Sequence, residues 1–332
     1  MRLIVLFALA IAACEHAPKS PSGPGQTTDP NPSDRGRAAL SSIAVGRNET
    51  FTRIQAALDA AASGATIIVL AGTYGERIVI KRPVKLEGRQ AVMDGLSEGL
   101  DGRHVGIDVR ADDVEITGFT IQNYERGVVV ESAYSFRFHR NEVRHNVSKD
   151  PPPISVGVTK SDGVVFSNVQ NGFFSNNFVH DNGSIGLWLA GGSGGNSVFG
   201  NRFENNGTQQ GLPGSGFSGA SIMTGGRNNT RNEIVDNDVS GGYWGIWIST
   251  SPDSANIVRD NRVQGAYRAG IAVWGQHNII EGNIVSGSGS LNMPPSCGLD
   301  LIDLRELDNT WRSNVGRFGT TGPNPFDAHA CR

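Results

Sequence analysis

The sequence is poor in charge and lacks the features by which several classes of partner are recognised. Only 18% of its 332 residues are charged, the net charge is −3, and no run of five or more basic residues occurs. Because proteins that bind nucleic acids neutralise phosphates with clustered Lys and Arg, this composition argues against a nucleic-acid partner. The 4 Met and 7 His are scattered. A copper or other metal site, which needs clustered ligands, is therefore not predicted.

A long apolar stretch is also absent from the N-terminus. The run Leu3–Ala13 is too short to span a bilayer and predicts a secretory signal. Its end, Ile11–Cys14, resembles the lipobox of bacterial lipoproteins. The resemblance implies that residues 1–13 are removed and that Cys14 is lipidated, whereas an ordinary signal peptide is the alternative.

The residues after Cys14 give the expected location of the anchored chain. Glu15 stands where an Asp would favour retention in the inner membrane, so the resemblance implies an outer-membrane anchor on an exported protein. Residues 14–42 are rich in Pro, Ser, Gly and Asp and predict a flexible tether. Any contact with a membrane is expected through the lipid alone.

Only two cysteines remain in the exported chain, Cys297 and Cys331. An even count in an oxidising compartment favours a disulfide between them. This bond would hold the tail, residues 321–332, against the body of the domain. In the chain-entropy model it would stabilise the fold by roughly 3–4 kcal/mol.

Gly is abundant, with 44 residues, and it belongs to an internal repeat. Pairs of Asn recur with four residues between them, and the second Asn of most pairs begins a triplet such as Asn-x-Val. Short alternating runs recur after a Gly, such as GLWL at 186, GIWI at 245 and GIAV at 270. The second Asn of successive pairs, as in Asn237, Asn261 and Asn283, returns after 24 and 22 residues.

This repeat predicts an all-β fold, a right-handed parallel β-helix with three short strands per coil of about 22–25 residues, over residues 43–320. Stacked coils share one apolar interior, and the amide of each Asn can bond to the Asn of the next coil about 4.8 Å away. A propeller would need a longer unit and a leucine-rich repeat a Leu framework. Neither pattern fits.

The front of the domain predicts a helix that caps the first coil. In FTRIQAALDAAASG, Thr52 and Gln55 form a capping box and Gly64 ends the helix. The stretch IQAALDAAASGATIIVLAGTYGERIVIKRPVKLEG resembles the opening of the pectin-lyase-like superfamily, and the resemblance extends over roughly residues 48–319. It implies the fold strongly and the function weakly.

Catalytic motifs of that superfamily do not transfer to this chain. GTYGE, residues 72–76, resembles the first block of pectin methylesterases, but their later Asp block has no counterpart. The Asn-Thr-Asp of polygalacturonases and the Asp-Pro-His of alginate epimerases are also missing. No cofactor is identified, and the acidic loop DGLSEGLDG, residues 94–102, leaves Ca²⁺ possible. A solvated turn is the alternative there.

Aromatic residues recur on one expected outer face. If the residue two after each strand Gly points outward, one column reads Asp108, Val129, Val165, Trp188, Ser221, Trp247, Ala272 and Asp300. Neighbouring positions would add Tyr243, Arg268 and Trp274. Exposed rings along a shallow groove stack on the apolar faces of sugars, so Trp188, Tyr243, Trp247 and Trp274 are the predicted substrate-binding residues. Packing under a covering segment is the alternative.

A lyase or epimerase on this face would need a carboxylate partner, a proton carrier and an orienting acid. Arg268, His277 and Asp300 are the predicted catalytic residues, and Asp303 is a weaker second carboxylate for hydrolysis. A separate polar cluster offers another basic site, namely Arg137, His139, Arg140, Arg144, His145 and Lys160.

The sequence as a whole predicts an exported, monomeric protein that binds a polysaccharide at the cell envelope, with processing of that polysaccharide as a further activity if it is an enzyme. A lyase or epimerase is favoured over a hydrolase if it is an enzyme. The alternatives are a non-catalytic glycan-binding protein and a structural or adhesive scaffold.

Overall fold

The computed structural model describes residues 40–97, 99–148, 161–207, 219–226, 228–248, 254–289, 300–303 and 308–320. The chain divides into two units, Met1–Ala38 and Ala39–Arg332, and every described residue lies in the second. The predictions for the signal, for Cys14, for most of the tether, for the two remaining cysteines and for residues 321–332 fall outside the described residues.

The predicted parallel β-helix is confirmed, since coils stack in register and each full coil contributes one strand to each of three faces. The glycine face, named for the Gly near the start of most of its strands, is a ten-stranded parallel sheet. Its strands are β4 (Ile78–Ile80), β6 (Val105–Val109), β8 (Arg126–Glu131), β11 (Asp162–Ser167), β14 (Leu187–Ala190), β17 (Ala220–Gly225), β20 (Trp244–Ile248), β23 (Ala269–Val273), β26 (Leu301–Asp303) and β28 (Phe318–Thr320).

The other 18 described strands form one parallel sheet that folds around the remaining two sides. The second face holds β9 (Arg137–His139), β12 (Phe173–Ser175), β15 (Ser197–Phe199), β18 (Glu233–Val235), β21 (Ile257–Arg259), β24 (Ile279–Glu281) and β27 (Thr310–Arg312). The third face holds β10 (Glu142–Arg144), β13 (Phe178–His180), β16 (Arg202–Glu204), β19 (Asp238–Ser240), β22 (Arg262–Gln264) and β25 (Ile284–Ser286). The first coils contribute β1 (Leu40–Val45), β2 (Ala61–Val69), β3 (Gly72–Tyr74), β5 (Val84–Asp94) and β7 (Glu115–Gln122), and β7 pairs with both β9 and β10.

The apolar core follows from alternation along each strand. One inward column on the second face consists of Ile116, Phe138, Phe174, Val198, Ile234, Val258 and Ile280, all with no exposed surface. Phe138 and Phe174 stack with ring centroids 5.4 Å apart. Each coil is too thin to bury these side chains alone, so the core exists only in the stack.

The predicted asparagine ladders are confirmed at two turns of the coil. At the turn between the second and third faces, Asn201 donates from its backbone N to Oδ1 of Asn237 at 3.1 Å and from Nδ2 to the same oxygen at 2.9 Å. At the turn after the glycine face, Asn232 repeats this pattern with Asn256 at 3.0 Å. These bonds satisfy buried backbone groups that no strand partner reaches.

A third ladder lies at the turn before the glycine face. It joins Asn146, Asn182 and Asn206, and the Nδ2 to Oδ1 distances are both 2.9 Å. The sequence analysis missed it, although each member again follows another ladder Asn by five positions. The same spacing would have predicted it.

The capping helix is present, but its predicted capping box is wrong. Helix α1 spans Ile54–Ala60, and its N-cap Arg53 makes no side-chain capping bond. Glu76 from the following coil instead accepts hydrogen bonds from the backbone N of Ile54 at 2.8 Å and of Gln55 at 3.1 Å. The helix ends before β2 begins at Ala61, rather than at Gly64.

Candidate functional site

The outer column of the glycine face follows the predicted register in most coils. Cross-strand partners run through Asp108, Val129, Val165, Trp188, Met223, Trp247, Ala272 and Ile302. The prediction is wrong at Ser221 and Asp300. The outward residues of these two coils are Met223 and Ile302, each two positions later in the sequence. The backbone oxygen of Ser221 lies against Gly186, and that of Asp300 lies against Gly270. In the same way, the backbone oxygen of Gly270 lies against Gly245 of the coil before it. Both residues therefore occupy the row of strand glycines, because the long connections before β17 and β26 shift the count by two.

A cluster of aromatic rings lies on this outer face around β20. Trp244 and Trp247 stack with centroids 5.2 Å apart, and Tyr243 meets Trp244 edge-on at 6.0 Å. Tyr267 of the next coil stacks on Tyr243 at 5.3 Å. With Trp274, which packs against this group, these five residues are here named the aromatic cluster.

Small residues of the neighbouring coils make room for the cluster. Trp244 aligns with Ala220 on one side and Ala269 on the other, and Trp247 aligns with Ala272. The sequence analysis missed Trp244 and Tyr267 as members. The alanines at matching positions of adjacent repeats were the signal that could have revealed Trp244.

Burial differs across the aromatic residues. Trp244 and Trp247 are 3% and 5% exposed, whereas Trp188, Tyr243 and Trp274 are half-buried. The predicted exposure of Trp247 is therefore wrong, because its ring is enclosed by the rest of the cluster. The half-buried rings form the accessible part of this face.

Polar groups at the cluster include one cation and several indole donors. The Arg268 guanidinium carbon lies 4.9 Å from the centre of the Trp244 ring, and its Nη1 donates to the Tyr243 hydroxyl at 3.5 Å. The Nε1 atoms of Trp188, Trp244 and Trp247 are buried and have no hydrogen-bond acceptor among the described residues. By contrast, Nε1 of Trp311 donates to Asp303 at 3.0 Å.

The three predicted catalytic residues are not brought together. Arg268 precedes β23 and His277 follows it, and the five residues of this strand span about 16 Å. His277 is exposed on a turn with φ of 55°. Asp300 lies at the coil corner, in the row of strand glycines, with Ser288 and Arg317 as partners.

The Asp300 carboxylate is fully engaged there. It accepts hydrogen bonds from the backbone N of Ser288 at 2.9 Å and of Arg317 at 3.0 Å, and Arg317 Nε lies 3.1 Å away. Burial opposes ionisation of this group, but the hydrogen bonds and charge of Arg317 outweigh it and lower the pKa of Asp300. Asp303 is buried and accepts from Trp311 and Asn309. Both carboxylates thus bind structural donors.

The predicted polar cluster is divided between two faces. Arg137, His139 and Arg140 lie at the second face, whereas Arg144 and His145 lie at the third, and Lys160 is outside the described residues. The imidazole Nε2 of His139 is 3.3 Å from Glu115 Oε1.

A second imidazole, that of His180, contacts two carboxylates and an aromatic ring. It was not among the residues predicted from the sequence. His180 places Nε2 3.1 Å from Glu142 Oε1 and Nδ1 2.7 Å from Asp181 Oδ2, and its ring stacks on Phe178 at 4.1 Å. Burial disfavours ionised Glu142, but the hydrogen bond from His180 and the charge of Arg144 prevail and lower the pKa of Glu142. Glu142 and His180 are 38 positions apart, and only the register between coils brings them together.

The acidic loop that left calcium possible offers few free ligands. Asp94 accepts from the backbone N of Leu96, from Gln122 and from Asn123 at 2.9–3.0 Å. Across the described residues, no group of three or more His, Cys, Asp or Glu is placed to hold a metal ion. Within the same residues, no helix is both long and apolar enough to cross a membrane.

Comparison with known protein families identifies the same β-helix repeat. A family model described as "Right handed beta helix region" matches residues 105–288, more than half of the chain. A search of curated proteins gives no match.

Solved structures align with this chain at low identity. A protein of Geobacillus virus E2, ORF18, aligns with a TM-score of 0.60 at 14% identity, over 85% of this chain and 62% of its own. DFA-IIIase from Arthrobacter chlorophenolicus A6, in complex with DFA-III, gives 0.51 at 16% identity, over 80% of this chain and 60% of the enzyme. An alginate lyase from Paenibacillus sp. str. FPU-7 gives 0.48 at 15% identity, over 85% and 98%. This chain thus spans about 60% of the first two proteins, and the likeness concerns the fold alone.

Proposed function

The chain belongs to the right-handed β-helix family, and on this fold we propose that it binds an extended polysaccharide along the glycine face. The observation that carries the proposal is the aromatic cluster on the outside of the sheet. Four of the five tryptophans lie on this face, and only Trp311 lies elsewhere. Aromatic rings supply the flat apolar surface on which pyranose rings stack.

The indole donors support a ligand rich in hydroxyl groups. The Nε1 atoms of Trp188, Trp244 and Trp247 are buried without an acceptor among the described residues, as are the hydroxyls of Ser221, Thr224 and Ser288. A buried N–H without an acceptor costs roughly 1–3 kcal/mol. Sugar hydroxyls are suitable acceptors for the indole of Trp188, whose ring is half-buried, whereas the rings of Trp244 and Trp247 are enclosed.

The arrangement of the rings favours a chain that runs along the helix axis. Trp188, Met223, Trp247 and Ala272 occupy successive coils of one column, and Trp274 lies two residues beyond Ala272. Three coil steps cover about 14 Å. The distance from Trp188 to Trp274 therefore exceeds one sugar ring, and a linear oligosaccharide is needed to contact both.

The geometry supports binding better than cleavage. Arg268 lies beside the cluster and can neutralise a uronate carboxylate, whereas His277 and Asp300 lie away from it. The lyase or epimerase role of these three residues stays a prediction. A polysaccharide partner is likewise proposed from the face itself, because the low identities to DFA-IIIase and alginate lyase transfer no substrate.

We also propose that the chain acts at the cell envelope, as a lipoprotein anchored through Cys14 in the outer membrane, with residues 14–42 as a tether. This part of the proposal is supported by the sequence of residues 1–42.

Isothermal titration calorimetry of the whole chain with linear neutral and acidic polysaccharides tests the binding proposal. Trp188→Ala is expected to weaken binding by about tenfold, which corresponds to the loss of one stacking contact of about 1.4 kcal/mol. Trp247→Ala is expected to weaken it further, since the cluster would lose its centre. Phe173→Ala is the control, because Phe173 is 46% exposed on the second face.

The result against the proposal would be equal affinity of all three variants and the parent chain, or no heat with any polysaccharide. Ultraviolet absorbance of the same mixtures reports unsaturated uronates. A rise that Arg268→Ala abolishes would establish a lyase rather than a simple binding protein.

A further inference from the structure

Three Asn-Gly pairs occur in the chain, at residues 171–172, 182–183 and 206–207. In such a pair the backbone nitrogen of Gly can attack the side-chain amide of the preceding Asn, because Gly carries no Cβ that hinders the approach. The nitrogen loses its proton and bonds to Cγ of the Asn, Nδ2 leaves as ammonia, and water then opens the succinimide ring to aspartate or isoaspartate. Each pair is therefore chemically labile, and its lifetime depends on how the fold holds the two reacting groups.

Two of the pairs are held at both reacting groups by the third ladder. Asn182 and Asn206 are fully buried, and the Nδ2 of each donates to a backbone oxygen of the coil before it, at 3.1 and 2.9 Å. The backbone N of Gly183 donates to the oxygen of Asn146, and that of Gly207 donates to the oxygen of Asn182, both at 3.0 Å. Reaction of either pair would require both groups to leave these bonds.

The pair at 171–172 differs, because its Asn side chain lies outside the three ladders. Asn171 is exposed on a turn with φ of 53°, a conformation that Asn tolerates. Gly172 is buried, and its backbone N donates to Oδ1 of Asn196 at 2.8 Å. A Cβ on Gly172 would lie only 2.7 Å from this oxygen, so the packing favours Gly at the position where the following coils carry Asn.

Asn196 holds the nucleophile of this pair in an unreactive state. An amide nitrogen attacks only after it has lost its proton, and the hydrogen bond to Asn196 keeps that proton on Gly172 and directs it away from Asn171. Asn196 is itself 1% exposed, and Oδ1 of Asn232 accepts from its backbone N at 3.1 Å and from its Nδ2 at 2.8 Å. The lifetime of Asn171 is thereby tied to the ladder in the next coil.

We propose that Asn171 is a deamidation site and that Asn196 controls its reaction. In the closed stack the nitrogen of Gly172 is engaged and the pair persists. When the next coil separates locally, this nitrogen is released toward an amide that is already exposed. An isoaspartyl product adds one atom to the backbone just before β12, so Phe173 can no longer keep its register with Ser197. The modification thus makes a transient opening of the stack permanent.

Peptide mapping by mass spectrometry, after incubation of the full chain at mildly alkaline pH, measures deamidation at each pair. In Asn196→Ala we expect Asn171 to react about tenfold faster than in the parent chain, the factor that corresponds to one hydrogen bond of about 1.4 kcal/mol. Asn201→Ala is the matched control, because it removes a ladder Asn of the same coil but releases the backbone N of Asn177 instead of Gly172. In this control Asn171 should react at the rate of the parent chain.

A second measurement needs no variant. The parent chain is compared in buffer and in urea, with a peptide of residues 168–175 as the unprotected reference. Asn171 should react at the rate of the peptide in urea and far more slowly in the folded chain. Equal rates in the folded chain and the peptide would overturn the proposal. An unchanged rate in Asn196→Ala, or equal acceleration in Asn196→Ala and Asn201→Ala, would also overturn it, since the contact with Gly172 would then not control the reaction.

Discussion

The role of a single residue in this molecule depends on which row of the coil it occupies. Gly245 lies in the row where backbones of adjacent coils meet, and a Cβ there would lie 2.4 Å from the oxygen of Gly270. Trp247, two residues later, faces outward and joins the aromatic cluster. Asp300 shares the row of Gly245 rather than that of Trp247, so its carboxylate faces the coil corner and Arg317.

The low pKa of Asp300 makes its contribution dependent on pH. Burial alone would raise the pKa, but Arg317 and two backbone donors lower it below the ordinary 3.8. The unfolded chain therefore takes up the proton first, and the carboxylate stabilises the fold above pH 3.8. This stability is lost as the pH falls through the lower, folded pKa.

Urea unfolding of the parent chain and of Asp300→Asn across this pH range measures the effect. We expect the parent to be more stable at neutral pH and the difference to vanish in acid. Asp108→Asn, at a carboxylate paired with the exposed Arg110, is the control and should show a small effect. A difference between parent and Asp300→Asn that stays constant with pH would contradict the assignment.

At the scale of elements, the ladders hold the turns in place. Asn237 is 2% exposed and accepts two hydrogen bonds from Asn201 while its Nδ2 donates to Val198 O at 3.0 Å. Replacing it with Ala would leave a backbone N–H and a side-chain amide of Asn201 buried without this acceptor. We expect a loss of about 2–3 kcal/mol in the free energy of unfolding.

Asn309, the last described Asn of its ladder, is the comparison for Asn237. Asn309 is half-buried, and water can replace some of its bonds, so Asn309→Ala should cost less than Asn237→Ala. Urea midpoints, followed by circular dichroism, measure both. Equal losses would show that the ladder bonds do not depend on burial.

The elements themselves could be predicted, because their signals are local. Alternation predicted the strands, and the spacing of Asn predicted two of the three ladders. The helix position was also predicted, but its cap was not, since Glu76 lies 22 residues from Ile54 and only the closed coil brings the two together. Contacts between coils, such as Glu142 with His180, have the same origin.

The site is less predictable than the fold for a related physical reason. Trp188 and Trp247 lie in the expected outer column, and Tyr243 and Trp274 pack against the same cluster, because the count from the strand Gly holds in β14, β20 and β23. Ser221 and Asp300 were misplaced where long connections interrupt the period. The burial of Trp247 depends on residues from three coils and has no signature in its own repeat.

At the scale of the whole molecule, the lipid anchor proposed at Cys14 can be tested by cell fractionation. Cys14→Ser should move the protein from the membrane fraction to the soluble fraction of cells, because a lipid anchor is the one expected membrane contact. Immunoblots of the two fractions measure this, and Cys297→Ser is the control. Equal partition of parent and Cys14→Ser would contradict lipidation at Cys14.

The regular stacking also means that one coil is a unit that can be duplicated without disturbing its neighbours. Asn256 and Asn261 meet Asn278 and Asn283, each 22 residues later, and both ladders use the same bonds at every step. Duplication of one such unit would lengthen the molecule by one pitch, about 4.8 Å, and would give every new rung a partner. Rungs 24, 31 and 36 residues apart elsewhere in the chain form the same bonds, so additional residues between rungs do not break the ladders. The proposed binding face would therefore lengthen by one strand with each added coil.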